Sequence, residues 1–160
     1  MNNQVGEPGI IAIHEAGHVV MAWLMGFPLL SAEISEMGGC VNLNPFLLCL
    51  RPPDKSWEFA QKTIRLYLAG RCAERIFFGF SCDPNSREDV SLAENAARFF
   101  GRSGDIAALE NEAYKVLVAH KETVRGVAER LEKKKTLFFR DLAIMQAEFA
   151  RDREQLILAA

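Results

Sequence analysis

His14, Glu15 and His18, held in the arrangement HEAGH within Ile10-Ile-Ala-Ile-His-Glu-Ala-Gly-His-Val-Val-Met-Ala-Trp23, have the clearest chemical potential in this chain. Residues four apart on a helix lie one turn apart on the same face, so both imidazoles can turn a ring nitrogen toward one ion. Zn²⁺ takes imidazole nitrogen readily, and a catalytic zinc site keeps three protein ligands and one open position. Glu15, beside the first histidine, is placed to take a proton from a water that attacks a carbonyl. This is the HExxH spacing used in zinc-dependent peptide hydrolysis. A plainer reading makes all three ordinary helix residues. Against it stands their setting: Ile10, Ile11, Ile13, Val19, Val20, Met21, Trp23 and Leu24 make the helix apolar on nearly every side, and such a helix is buried. Buried imidazoles and carboxylates need partners, and one metal ion would serve all three.

The elements that must position these groups can be read from pattern. Pro8 and the pair Gly26 and Pro28 bracket a helix from about Pro8 to Met25. Alternating segments Leu30 to Glu36 and Cys40 to Asn44, around Met37-Gly38-Gly39, predict a β-hairpin. A strand edge near a metal can hold an extended substrate by main-chain hydrogen bonds; the same hairpin also serves simply to cover the core. Pro45 to Pro53 reads as a loop. A long helix starts at Asp54 or Ser56, continues to about Phe78 and stops at Gly79, and Gly70 within it predicts close approach to another backbone. Ser81 to Arg87 is a polar loop, followed by a helix from about Ser86 to Phe100. Asp105 to about Lys134 reads as one long amphipathic helix, and Phe139 to Leu158 as the last. The fold class predicted is mainly α, with one small β-hairpin near the active site.

Two histidines do not complete a zinc site. HExxHxxGxxH is excluded, because Met21 and Leu24 occupy the two further positions. His120 sits at core spacing in the long helix and reads as structural. The remaining candidates are Glu33, Glu36, Glu74, Asp83, Glu88 and Asp89. Asp89 also fits a capping box in Ser86-Arg87-Glu88-Asp89. Residue chemistry alone leaves this choice open.

Whole-chain properties narrow the class. Residues 1–160 predict one domain with a sizeable core, and 49% apolar with 25% charged residues is ordinary for a globular protein. A net charge of −2 gives no electrostatic case for nucleic acid or an anionic membrane. Cys40, Cys49, Cys72 and Cys82 form no CxxC pair and read as reduced, buried thiols. No signal peptide is evident, and the apolar run Val19 to Leu30 is too short for a bilayer span. The expected location is cytoplasmic, and intramembrane proteolysis is disfavoured.

HEAGH, followed by Leu68-Ala-Gly-Arg-Cys-Ala-Glu-Arg-Ile-Phe-Phe-Gly79 and Arg87-Glu-Asp-Val-Ser-Leu-Ala-Glu94, resembles the peptidase domain of the FtsH family of zinc proteases. The likeness covers about residues 8 to 145. It implies His14, His18 and Asp89 as zinc ligands and Glu15 as the general base. Lys133-Lys-Lys-Thr-Leu137 is similar to a late family stretch, with Lys135 in place of a glutamate. Glu88 and Val90 stand where the family carries asparagine and leucine, and Cys82 to Asn85 departs from its small-residue loop. Glu88 adds negative charge near the metal, which Arg71 or Arg87 could offset. No GxxxxGKS/T nucleotide motif is present. The expected function is a zinc metalloendopeptidase acting on unfolded polypeptides or peptides, without ATP in its own chain. A separate unfoldase could supply substrates, and the resemblance makes a homo-oligomer conceivable. The competing expectation is a catalytically silent interaction or regulatory module that keeps structural zinc.

Overall fold

A computed structural model describes residues 8–49, 56–81 and 84–158. It is mainly helical with a small antiparallel sheet. The apolar HEAGH segment forms α1 (Ile10–Met25), buried from Ala12 through Trp23 and ended by Gly26 at φ 77°. The hairpin follows as β1 (Leu29–Ser35) and β2 (Gly38–Leu43), paired antiparallel with Ile34 opposite Gly39 and Ala32 opposite Val41. The stretch read as a loop instead opens with a short helix, α2 (Pro45–Cys49). Asn44 Oδ1 accepts from the N–H groups of Phe46 and Leu47, and Pro45 suits a first helical position because it has no N–H to satisfy. Residues 50–53 of that expected loop lie outside the described residues.

α3 (Trp57–Phe78) begins where the Ser56 hydroxyl accepts from the Phe59 N–H at 3.1 Å and ends at Gly79, φ 80°. α4 (Pro84–Phe99) starts earlier than the sequence pattern predicts. Ser86 is therefore inside the helix, and the expected capping box does not form. A 3₁₀ turn at Ser103–Asp105 leads to α5 (Ile106–Ala119) and α6 (Lys121–Lys134), so the long helix expected over 105–134 is broken at His120. There is no glycine or proline at the break. His120 leaves helical geometry at φ −117°, ψ 24°, and its half-buried ring packs edge-on against Phe149 at 5.2 Å. Tertiary packing overrides the continuous apolar period. Lys135, at φ 64°, turns the chain into β3 (Thr136–Phe138), which pairs with β1 and extends the hairpin to a three-stranded sheet of order β2-β1-β3. Three residues behind a run of lysines give too little alternation to be read as a strand. α7 (Phe139–Leu158) closes the described chain.

α1 is the centre of the main core, packed against α3, α6 and the sheet. Ile13, Val19, Val20 and Met21 share one apolar cluster with Ala69 and Cys72 of α3, Leu117 of α5, Leu131 of α6 and Leu137 of β3. A second, smaller cluster of Ile64, Leu68, Ala93, Ala97 and Leu109 secures α4 against α3, with Leu109 reaching in from α5. No helix among the described residues is long and apolar enough to cross a membrane. Of the cysteines expected to be buried, Cys72 is, whereas Cys40 is exposed on β2; the side chains of Cys49 and Cys82 lie outside the described residues.

Helices α1 and α3 touch through Gly17, where an added Cβ would lie 2.7 Å from both the Ala69 carbonyl oxygen and the Ala73 Cβ. Gly17→Ala should destabilise the fold by about 1–3 kcal/mol by forcing the helices apart, despite alanine's better helix propensity. Gly126, in α6, has nothing within 4 Å of an added Cβ, so Gly126→Ala should stabilise by about 0.5–1 kcal/mol. Urea unfolding of both variants checks the pair of opposite signs.

Candidate metal centre

α1 and α3 run antiparallel where they meet, and their facing stripes match turn for turn. His14 lies against Glu74, His18 against Leu66, and both rings cover Gly70. On α3 the positions 66, 70 and 74 are each one turn apart, so they share a face. A Cβ on Gly70 would fall 2.4 Å from His14 Nε2 and 2.6 Å from His18 Nε2. The close approach predicted at Gly70 is therefore to two imidazoles and not to a backbone; it is Gly17 that meets a backbone.

The outer hydrogen bonds decide how each ring is protonated. His18 Nδ1 lies 2.8 Å from the Leu66 carbonyl oxygen, which can only accept, so this nitrogen carries the hydrogen. His14 Nδ1 lies 2.6 Å from Glu74 Oε1. Glu74 is fully buried. Burial pushes its carboxyl up, but hydrogen bonds from His14 and Ser81, the charge of His14 and a hydrogen bond from Ser86 together hold it below the usual range. The ionised Glu74 accepts, so His14 Nδ1 also donates. In its neutral form, each ring would then present a bare lone pair at Nε2.

Those two lone pairs and one carboxylate oxygen converge. His14 Nε2 and His18 Nε2 are 3.0 Å apart, and Asp89 Oδ2 from α4 lies 3.0 Å from the first and 3.1 Å from the second. A tetrahedral zinc with bonds near 2.0–2.1 Å spaces its ligands by roughly 3.3 Å, so the donors stand within a few tenths of an ångström of that geometry. Three acceptors this close repel unless a cation lies between them. One proton can bridge two of the three; a divalent ion answers all three. The affinity of the cluster for positive charge is evident at His14. Burial lowers its pKa, but hydrogen bonds to Asp89 and Glu74, with the charges of Glu15 and Glu74, raise it to about 10. Asp89 is pushed down to about 2: burial raises it, and its bonds and charge interactions with the two histidines prevail.

Among the described residues, His14, His18 and Asp89 form the group of close ligand atoms. Asp89, which also fitted a cap, faces this group. Glu74, another candidate ligand, stands behind His14 and orients it. Glu33 and Glu36 are exposed on the hairpin, His120 stands at the α5–α6 break, and Asp83 lies outside the described residues. Ser86 was not foreseen as a participant. It lies one turn before Asp89 on α4 and donates to Glu74 Oε1 at 3.1 Å, so one helix supplies both a donor to the orienting carboxylate and the third oxygen. The Leu66-x₃-Gly70-x₃-Glu74 spacing, complementary to His14-x₃-His18, was the available signal for the α3 contribution. Glu15 is buried against the hairpin, where a Cβ on Gly39 would fall 2.6 Å from its Oε1. Both histidines, Glu15 and Asp89 open onto a cleft of about 360 Å³, flanked by β2 on one side and by Glu88 and Leu92 of α4 on the other. Arg71 does not offset Glu88: its Nε lies 3.3 Å from Glu110 Oε1 on α5.

Glu74→Gln should weaken zinc binding by roughly 10- to 100-fold, the usual effect of losing an orienting partner, and Asp89→Ala should weaken it more. Competition with a chromogenic chelator measures both. Unchanged affinity in Asp89→Ala, with loss in Glu74→Gln, would mean that the ligand carboxylate is the wrong one.

No protein-family model matches the chain and no curated protein matches it, so the site is read from its own geometry.

Proposed function

We propose that the protein is a zinc-dependent endopeptidase of the HExxH type that hydrolyses unfolded polypeptides or peptides. Zinc would be held by His14, His18 and Asp89, and Glu15 would be the general base. The observation that carries this reading is the convergence of three lone-pair atoms beside a buried carboxylate at the floor of an open cleft. A structural zinc site closes around four protein ligands, whereas a catalytic one keeps a position open; three donors facing a cleft support the second over a silent structural-zinc module. The resemblance of the HEAGH, α3 and Asp89 motifs to FtsH peptidases names the same residues.

Zinc, when bound, supplies a Lewis acid for the scissile carbonyl and makes water more acidic. The work of the chain is to place the groups around it. Glu74 and the Leu66 carbonyl fix both rings, so that Nε2 faces the ion in each. The Glu15 carboxylate takes the proton of the attacking water and passes it to the leaving amine. The sheet order places β2 at an edge of the sheet, on the side of the cleft. An extended substrate can add to such an edge through main-chain hydrogen bonds, whatever its side chains. A cleft of about 360 Å³ admits a few residues of extended chain and no folded domain, which favours unfolded substrates. A separate unfoldase, or assembly of several copies, would be compatible with that demand.

The purified protein should hold about one zinc per chain and cleave an unfolded reporter protein. Glu15→Gln should keep the metal and lose about 10²- to 10⁴-fold in rate, the usual contribution of a general base. Equal turnover by the two proteins would defeat the assignment. Cys40, exposed on β2, offers a second handle. A bulky maleimide on Cys40 should block cleavage with zinc retained, and Cys40→Ser should be resistant. Cys72 should stay unlabelled in the folded protein, because burial, then the charge of Glu110, pushes its thiol up to about 12 against the pull of Arg75 and Arg71. Inhibition that persists in Cys40→Ser would place substrate binding away from β2.

A further inference from the structure

The α4 wall of the cleft carries a feature that peptide hydrolysis does not require. Glu88 and Leu92, both exposed, open onto the cleft together with Asp89. The Glu88 carboxylate does not join the group of close ligand atoms. Among the described residues no lysine or arginine lines the cleft, while Glu15, Glu88 and Asp89 all do. Three carboxylates against a divalent ion leave one negative charge in excess. Among the described residues no ion pair engages Glu88: Arg71 faces Glu110, and Arg87, its neighbour in sequence, points to a different side of the helix, as adjacent helical residues do.

Spacing adds to charge. Glu88 and Leu92 are four residues apart on α4, which separates them by about 6 Å along the helix axis. Alternate residues of an extended chain point to the same side at intervals of about 6.6 Å. A strand lying between β2 and α4 can therefore set two same-side residues against these two positions.

We propose that Glu88 and Leu92 select extended peptides that carry a basic side chain and an apolar side chain two residues apart. The basic group pairs with the Glu88 carboxylate at the cleft rim and the apolar group covers Leu92. This rests on the peptidase reading for turnover, but the recognition itself is a binding property and can be measured without it.

Quenched peptides of one length, otherwise neutral, test it. In one series the residue two positions from a fixed leucine, on either side, is lysine, glutamine or glutamate. In the other the leucine is moved one position away from a fixed lysine. Lysine should exceed glutamate about five- to tenfold in kcat/KM, mainly through KM, as for a rim ion pair, and the gap should shrink in high salt. Glu88→Gln should erase the preference with zinc content unchanged, Glu88→Lys should invert it, and Leu92→Ala should remove sensitivity to the leucine position. Fluorescence anisotropy of the same peptides on the Glu15→Gln protein reads binding alone. Cleavage with no charge preference, or the same preference in wild type and Glu88→Gln, overturns the selection and leaves the hydrolase reading standing. Glu88-dependent binding of basic peptides with no cleavage by the wild type supports the selection and overturns the hydrolase. Neither cleavage nor preferential binding overturns both.

Discussion

Two imidazole nitrogens and a carboxylate oxygen stand 3.0–3.1 Å apart with their lone pairs facing inward, and most of the surrounding architecture exists to hold them there. Left to themselves, two neutral imidazoles this close would rotate until one donated to the other. They are prevented by what lies on their outer sides. A backbone carbonyl at Leu66 and an ionised carboxylate at Glu74 can each only accept, so in the neutral rings both hydrogens point away from the centre. The orientation of the inner lone pairs is thus decided by α3, an element that contributes no ligand.

That arrangement depends on how near α1 and α3 can come. Gly17 brings one backbone against Ala69 and Ala73, and Gly70 leaves the space that the two rings occupy. Small residues at both places are needed because a side chain at either would open the gap and lengthen the bonds to Leu66 and Glu74. The buried carboxylate at Glu74 is acceptable in such a setting because it has an imidazole and serine hydroxyls as partners.

Much of this was legible in the residues. The apolar shell around HEAGH marked α1 as a buried helix, and its C-terminal end followed from Gly26 and Pro28. Ser56 and Gly79 marked the ends of α3. The ligand role of Asp89 was expected from resemblance, since residue chemistry left six carboxylates open; its meeting with the two histidines depends on α4 docking against α3, a long-range event that no local spacing encodes. The break at His120 was hidden because the apolar period continues through it and no glycine or proline marks it. β3 was missed because its pairing with β1, and not its own three residues, makes it a strand. Glu74 was one of the candidate carboxylates, on α3, but whether it joined the cluster of ligand atoms or stood at the back of His14 is a matter of a few ångströms that only the packed helices settle.

The division of the interior into two clusters has a consequence for how the molecule comes apart. The histidines sit on α1, whose apolar residues form the main core, whereas Asp89 rides on α4, which is secured by the smaller group of Ile64, Leu68, Ala93, Ala97 and Leu109. Elements with few apolar anchors are the first to open locally. If an ion is gripped from both sides, as proposed, it would act as a clasp between the two halves of the interior, and its binding energy would be added to the weaker seam. Removing it would free α4 to detach while the helical centre stayed folded, so the same atom that would equip the site would also govern which part of the protein breathes.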